Sequence, residues 1–196
     1  MPKAVIAFGS NIDPETHVPQ ALRRLKDRVR ILAVSRVYET PPVGADDAPP
    51  YLNGALLIET ELPPRELHDA VLRDIESALG RVRTDDPNAP RTIDLDLILY
   101  EGVHTPTGDP PLPSPDVYRY AHVALPVAEV AGDWPLDEGG TTVAQVARSL
   151  LPAARHFRDR TDVLEGLEDV IPLPETPTDA SSPSHVSDNG GDIHAH

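Results

Sequence analysis

The chain has 196 residues, 39% of them hydrophobic, which suits one domain with a single core, and 32 acids against 17 Lys and Arg give it a formal charge of −15. The absence of cysteine excludes disulfide scaffolds, thiolate metal sites and cysteine nucleophiles, and the acidic balance lacks the basic footprint of nucleic-acid binding. No apolar run approaches the roughly 20 residues that span a bilayer. Met1-Pro2-Lys3 leads straight into a strand-like segment with no signal-peptide pattern. The expectation is a soluble, cytoplasmic, monomeric protein acting on small molecules, with neither nucleic acid nor membrane as partner.

In chain order, Ala4-Val5-Ile6-Ala7-Phe8 closed by Gly9-Ser10-Asn11 predicts a buried strand and a turn. Asp13 followed by Pro14 predicts a helix start with a capping carboxylate, and Val18, Ala21, Leu22 and Leu25 then recur at helical spacing. Residues 30–39 are rich in branched side chains and predict a second strand, ended by Thr40-Pro41-Pro42-Val43-Gly44. Tyr51 to Thr60 predicts a third, with Leu52, Leu56 and Ile58 on one face and Tyr51 and Asn53 on the other. Pro63 to Leu79 predicts a helix stopped by Gly80, and Thr92 to Tyr100 a fourth strand. The order β-α-β-β-α-β is the ferredoxin-like α+β pattern, an antiparallel sheet with two helices on one face. A short segment around Val123 to Val130 and a helix from about Thr142 to Leu151 extend it. The domain is expected to end at about residue 160. Residues 161–196 carry eight acids and no Lys or Arg, and read as an acidic, disordered tail that cannot bury enough surface to offset chain entropy. Residues 1–160 then hold 24 acids and 17 bases.

The chemistry concentrates in Pro90-Arg91-Thr92-Ile93-Asp94-Leu95-Asp96-Leu97-Ile98-Leu99. Strand alternation sends Ile93, Leu95, Leu97 and Leu99 to the core, so Asp94 and Asp96 project together from the other face. Two adjacent carboxylates repel unless a cation lies between them, and oxygen-only ligation suits Mg²⁺ held with substrate phosphates. A solvent-facing charged strand is the alternative. Arg81, Arg83 and Arg91 bracket the pair, as a polyphosphate requires; alternatively they balance Glu76, Asp85 and Asp86. No GxxxxGK[ST] loop is present, so a nucleotide would have to be held otherwise.

Ala7-Phe8-Gly9-Ser10-Asn11, Ser35 through Gly44, Tyr51-Leu52-Asn53, Glu76 through Arg83 and Ala89 through Asp96 together resemble the 6-hydroxymethyl-7,8-dihydropterin pyrophosphokinase family, over roughly residues 4–151. The resemblance implies transfer of pyrophosphate from ATP to a pterin alcohol in folate biosynthesis. It implies a metal and catalytic role for Asp94 and Asp96, as the pair that binds two Mg²⁺ ions, and a catalytic role for Arg81 and Arg91 on the polyphosphate. It implies a pterin pocket of Thr40, Pro41, Val43, Gly44, Tyr51 and Asn53, with His122 where the family has a stacking phenylalanine. Glu76, Arg81, Arg83, Arg91 and Ile98 fall at ATP-binding positions. The family's His-Pro-Arg triplet is replaced by Ser114-Pro115-Asp116, and a later arginine by Tyr120. A relative acting on another pterin alcohol, and a non-catalytic ligand-binding module, are the alternative readings.

Overall fold

The structure is a computed structural model that describes residues 1–42, 49–84 and 89–172. The strands are β1 (Lys3–Ser10), β2 (Arg30–Val34), β3 (Tyr38–Thr40), β4 (Tyr51–Glu59), β5 (Asp94–Tyr100) and a short β6 (Arg158–Asp159). They form one antiparallel sheet ordered β5-β1-β4-β3-β6, with β2 also pairing β4. This is the ferredoxin-like strand order. The predicted second strand is two pieces, because Ser35 leaves the ladder and its hydroxyl accepts the Ala55 N–H at 2.8 Å in place of a backbone carbonyl.

One face of the sheet is covered by α1 (Pro14–Lys26) and by a second rod. That rod runs as α2 (Pro64–Glu66), a π-helical stretch Leu67–Leu72 and α3 (Arg73–Ala78). Between them lies the larger core, with Ile6, Leu22, Leu56, Leu72 and Leu95 all fully buried. Asp13 does not cap α1 with its carboxylate. It adopts a left-handed conformation (φ 43°), and its carbonyl instead accepts the Thr16 and His17 N–H groups.

The C-terminal extension covers part of the other face. It comprises α4 (Asp116–Arg119), α5 (Ala121–Ala131) and α6 (Val143–Leu150), the last started by a capping box between Thr142 and Gln145. Val5, Ala7 and Ala55 pack under Ala124 and Val127 in a second core. Leu99 joins this second core, not the first as alternation predicts. Ile6 faces Leu97 and Val5 faces Leu99, so Ile98 is the extra residue of a β-bulge and both Ile98 and Leu99 turn to the α5 face.

The chain does not stop packing at residue 160. A 3₁₀ turn, Thr161–Leu164, follows β6, and Val163, Leu164, Leu167 and Ile171 are buried in the larger core. Arg160 N–H donates to the Val37 carbonyl and Thr161 Oγ1 accepts the Val37 N–H, sewing this segment to the start of β3. A boundary at 160 therefore falls inside the folded part. The rest of the expected tail, residues 173–196, lies outside the described residues.

Candidate active site

The α5 face of the sheet is only partly roofed, and the uncovered end forms a cleft of about 310 Å³. Its floor is β1 and β4, where Ala7, Gly9, Tyr51 and Asn53 share one face; Thr40, Pro41 and Pro42 form one end. Asp116, Tyr120, His122 and Val123 of α4 and α5 form the roof edge, and Arg91 and Asp96 line the remaining side.

Strand register arranges the floor in rows. Asp94 lies opposite Gly9, Gly9 opposite Asn53, and Asn53 opposite Tyr38, a single row across β5, β1, β4 and β3. Asp96 lies opposite Ala7 in the next row on the same face. At about 4.8 Å per strand, Asp94 and Asn53 stand roughly 10 Å apart across Gly9. Gly9 has to be small, since a Cβ there would come within 2.7 Å of Asn53 Oδ1. Asn53 is buried and fixed by a 2.8 Å bond from its Nδ2 to Thr40 Oγ1, which leaves its Oδ1 toward Gly9.

The predicted carboxylates differ in their surroundings. Asp94 is held by Arg81 and Arg91, one guanidinium on each oxygen. Burial works to raise its pKa, but these hydrogen bonds and charges outweigh that and carry it below the usual carboxylate value. Asp96 accepts no hydrogen bond among the described residues. By area it is exposed, yet it sits at the bottom of a concave cleft walled by protein. Its carboxyl is pushed up to about 7, by loss of solvent first and then by the Asp94 charge.

Glu76, expected at the ATP, lies behind the strand instead. It is 2% exposed and accepts the Leu95 N–H at 2.8 Å, between the two aspartates. Arg81 donates to it at 2.9 Å, and Arg83 and Arg73 also pair with it. Burial pushes its pKa up, against the Leu95 N–H and the Arg81 charge. The alternative reading of the arginines, as partners of local acids, thus describes Arg81 and Arg83 in this state. Arg81 also donates to the Ile93 carbonyl at 3.1 Å and is not part of the cleft wall. Ile98 offers the cleft no side chain either: it is 1% exposed in the second core, and its carbonyl accepts the Ser114 N–H.

Arg91 does face the cleft, and the end of β1 with Asn11 after it, where a turn from Gly9 is expected, sets its position. Asn11 Oδ1 accepts the Arg91 N–H at 2.8 Å, the Asn11 N–H donates to the Arg91 carbonyl, and Ser10 Oγ donates to the Thr92 carbonyl. His122 is where a stacking ring is expected, parallel to Tyr120 with ring centres 5.2 Å apart. Burial lowers its pKa to about 4, so the ring is neutral. Val43, Gly44, Asp85 and Asp86 lie outside the described residues.

Thus Thr40, Pro41, Tyr51, Asn53, Arg91, Asp96 and His122 meet at one cleft, with Asp94 at its edge. Arg81, Arg83, Glu76 and Ile98 form the layer behind it. Ala7 and Pro42 carry no functional group that would mark them in the sequence, and join the wall through β1–β4 register and the β3 end. Asp116 also lines the cleft, in the triplet where the sequence departs from the family pattern.

The donor set fits a hard divalent cation. Asp94 and Asp96 offer oxygen only, side by side, and the Asp96 carboxylate has no hydrogen-bond partner among the described residues. No cluster of three or more His, Asp or Glu among the described residues could hold a metal unaided. Remaining ligands would have to be substrate oxygens and water, which is how Mg²⁺ is usually held.

The cleft thus sets the buried Asn53 amide on one side of Gly9 and a corner of carboxylates and arginine on the other, a combination that suits a polar ring beside a polyphosphate. Residues 5–132 match the family model described as 7,8-dihydro-6-hydroxymethylpterin-pyrophosphokinase (HPPK), and the chain belongs to that family. It is 39% identical over 156 residues to the 2-amino-4-hydroxy-6-hydroxymethyldihydropteridine pyrophosphokinase of Methylorubrum extorquens, covering 78% of this chain and 96% of that one. The Bacillus subtilis protein of the same name is 41% identical over 130 residues, 65% of this chain and 77% of that one. The HPPK-DHPS of Plasmodium falciparum superposes with a TM-score of 0.59 over 79% of this chain. This chain spans 44% of that longer one, and at 10% identity the likeness concerns the fold alone.

Proposed function

We propose that the chain transfers pyrophosphate from ATP to the hydroxymethyl group of 6-hydroxymethyl-7,8-dihydropterin, releasing AMP, as a step of folate biosynthesis. The observation that carries this reading is the register row. It sets a buried, pre-oriented amide and a carboxylate pair on one face, two strand spacings apart, in a chain of this family. The pterin ring would lie between Tyr51 and His122 with its amide edge on Asn53 and Thr40. Its hydroxymethyl oxygen then points toward Asp94 and Asp96.

That oxygen attacks the β-phosphorus of ATP in line. The P–O bond to the α-phosphate breaks, AMP leaves, and the hydroxyl proton passes to solvent. Catalysis of this kind is positioning and charge neutralisation more than covalent chemistry. Two Mg²⁺ ions held by Asp94 and Asp96 would acidify the hydroxyl and offset charge on the transferring group. Asn53 and Thr40 orient the ring, His122 and Tyr51 exclude water from its faces, and Arg91 is placed to take a phosphate oxygen. Arg81 and Arg83 reach the polyphosphate only by leaving Glu76, and Arg81 must also leave Asp94. A cytoplasmic monomer is the accompanying reading, testable by light scattering on the purified chain.

The deciding experiment incubates the protein with ATP, Mg²⁺ and the pterin and separates AMP from ADP. AMP formed in step with pterin pyrophosphate is the expected result, and Asp94→Ala should abolish it in a protein that still folds, at some cost in melting temperature from the lost Arg81 and Arg91 pairs. Pterin binding without AMP release would leave a ligand-binding module. Asp116 and His122 in the wall favour one second reading, a different pterin alcohol as acceptor. A panel of pterin alcohols, compared by kcat/KM, separates it from the first.

A further inference from the structure

Nothing in the proposed chemistry uses Glu129, yet this carboxylate, the one acid of α5, accepts four hydrogen bonds. Its Oε1 accepts Arg36 Nε at 3.0 Å, Arg36 Nη2 at 2.6 Å and the Tyr38 hydroxyl, while Oε2 accepts the Arg36 backbone N–H at 2.9 Å. The Arg36 guanidinium also lies over the Tyr38 ring, 5.3 Å from its centre. A rim ion pair needs none of this redundancy. Shared, charge-assisted bonds to a backbone N–H, a guanidinium and a phenol fix direction as well as distance.

What these bonds connect are the two walls of the cleft. Tyr38 ends the register row that runs through Gly9 and Asn53, and it is two residues from Thr40, on the same face of β3. Glu129 is seven residues from His122, hence on the same face of α5, two turns or about 10 Å along it. β3 is three residues long and has no residue in the apolar cluster that joins α5 to β1, β4 and β5, so the Glu129 bonds are what tie α5 to this strand.

We propose that Arg36, Tyr38 and Glu129 form a clasp between β3 and α5 that sets the gap between His122 and the Asn53–Thr40 pair, making them positioning residues for the pterin. The inference rests on the pterin reading of the cleft. A clasp of this kind governs affinity for the flat ring and leaves ATP, which enters from the Asp96 and Arg91 side, largely untouched.

The test compares Glu129→Ala, Glu129→Gln and Tyr38→Phe with the unaltered chain. The pterin Kd is followed by equilibrium fluorescence titration with 6-hydroxymethyl-7,8-dihydropterin, KM for pterin and ATP by AMP release, and folding by thermal melting. Glu129→Ala should weaken pterin binding about tenfold and Tyr38→Phe severalfold, with the ATP KM within about twofold, as expected for loss of one directed contact. Glu129→Gln, which keeps an acceptor for the phenol and guanidinium, should restore most of the loss. If Glu129→Ala fails to fold, the other two variants carry the comparison, with Tyr38→Phe weakened against Glu129→Gln. Folded variants with unaltered pterin Kd, or with pterin and ATP constants rising together, overturn the clasp. An unaltered chain that binds pterin but releases no AMP overturns the transfer reading alone, because the Kd comparison needs no turnover. One that binds no pterin overturns both.

Discussion

Asp96 carries a carboxyl that water reaches but that the cleft keeps from ionising easily. With its pKa up at about 7, the ligand-free protein holds a proton there between pH 4 and 7 that the unfolded chain, near the ordinary carboxylate value, has already lost. This contribution to stability is therefore complete below about pH 4, falls away as pH rises from 4 to 7 and is gone above 7. Asp94 behaves in the opposite sense, since its depressed pKa adds stability above the ordinary carboxylate value that is lost in acid. Cation binding needs Asp96 deprotonated, so protons and metal compete. The apparent Mg²⁺ affinity, read from initial rates against Mg²⁺ concentration, should be about tenfold weaker at pH 6 than at pH 8. Ligand-free Asp96→Asn should lose the part of the melting-temperature decline between pH 4 and 7 that belongs to this group. An apparent Mg²⁺ affinity that does not move with pH would count against Asp96 as a metal carboxylate.

At the scale of strands, two glycines facing opposite ways make separate demands. Gly54 lies across from Phe8 in the larger core, and a Cβ there would approach the ring to 2.3 Å. Gly54→Ala should cost about 1–3 kcal/mol through overpacking, a fall of about 2–4 °C in Tm per kcal/mol, with modest effect on KM. Gly9 faces the cleft, so Gly9→Ala should do the reverse. Its methyl must push Asn53 Oδ1 aside and disturb the bond to Thr40, which predicts a pterin KM raised about tenfold with little change in Tm. A Gly9→Ala protein with the original pterin KM would remove Asn53 from the reader's role.

The same strands show what periodicity can and cannot convey. Alternation places Leu52, Leu56 and Ile58 against Tyr51 and Asn53, and Asp94 beside Asp96, as the structure has them. It fails at Leu99, because a bulge depends on which residue of a distant strand sits opposite. It is silent on Glu76, whose contact with the Leu95 N–H joins segments 19 residues apart through a helix-to-strand packing choice. The row from Asp94 to Tyr38 is invisible for the same reason, being made of four strands that meet only when the sheet closes. Apart from Glu76 through Arg83, which lies behind the cleft, the family motifs reach the cleft residues regardless, since each sits on a strand or turn that carries one wall.

For the molecule as a whole, the segment after β6 decides where the domain ends. Low apolar content makes residues 161–196 read as uniform, but the few large side chains fall early, and Val163, Leu164, Leu167 and Ile171 all reach the larger core. Arg160, pairing with Glu15, Glu39 and Asp162, and Lys26, donating to the Asp169 carbonyl, add polar ties to the same segment. Full burial of four aliphatic side chains is worth about 6–12 kcal/mol as an upper bound, against about 5–15 kcal/mol for a typical domain's whole stability. A chain ending at Arg160 should therefore be largely unfolded at 25 °C or melt far below the full-length protein. A chain ending at Pro172 loses four acids and no Lys or Arg, moving the formal charge from −15 to −11, and keeps every buried side chain of the described residues. It should keep the full-length melting temperature and AMP-release rate. Circular dichroism melts of the three lengths, with the rate measured on each folded one, test this directly. Equal stability at 160 and 172 would mean the four side chains add nothing to the core they fill, and a loss of rate at 172 without loss of stability would assign residues 173–196 a part in turnover.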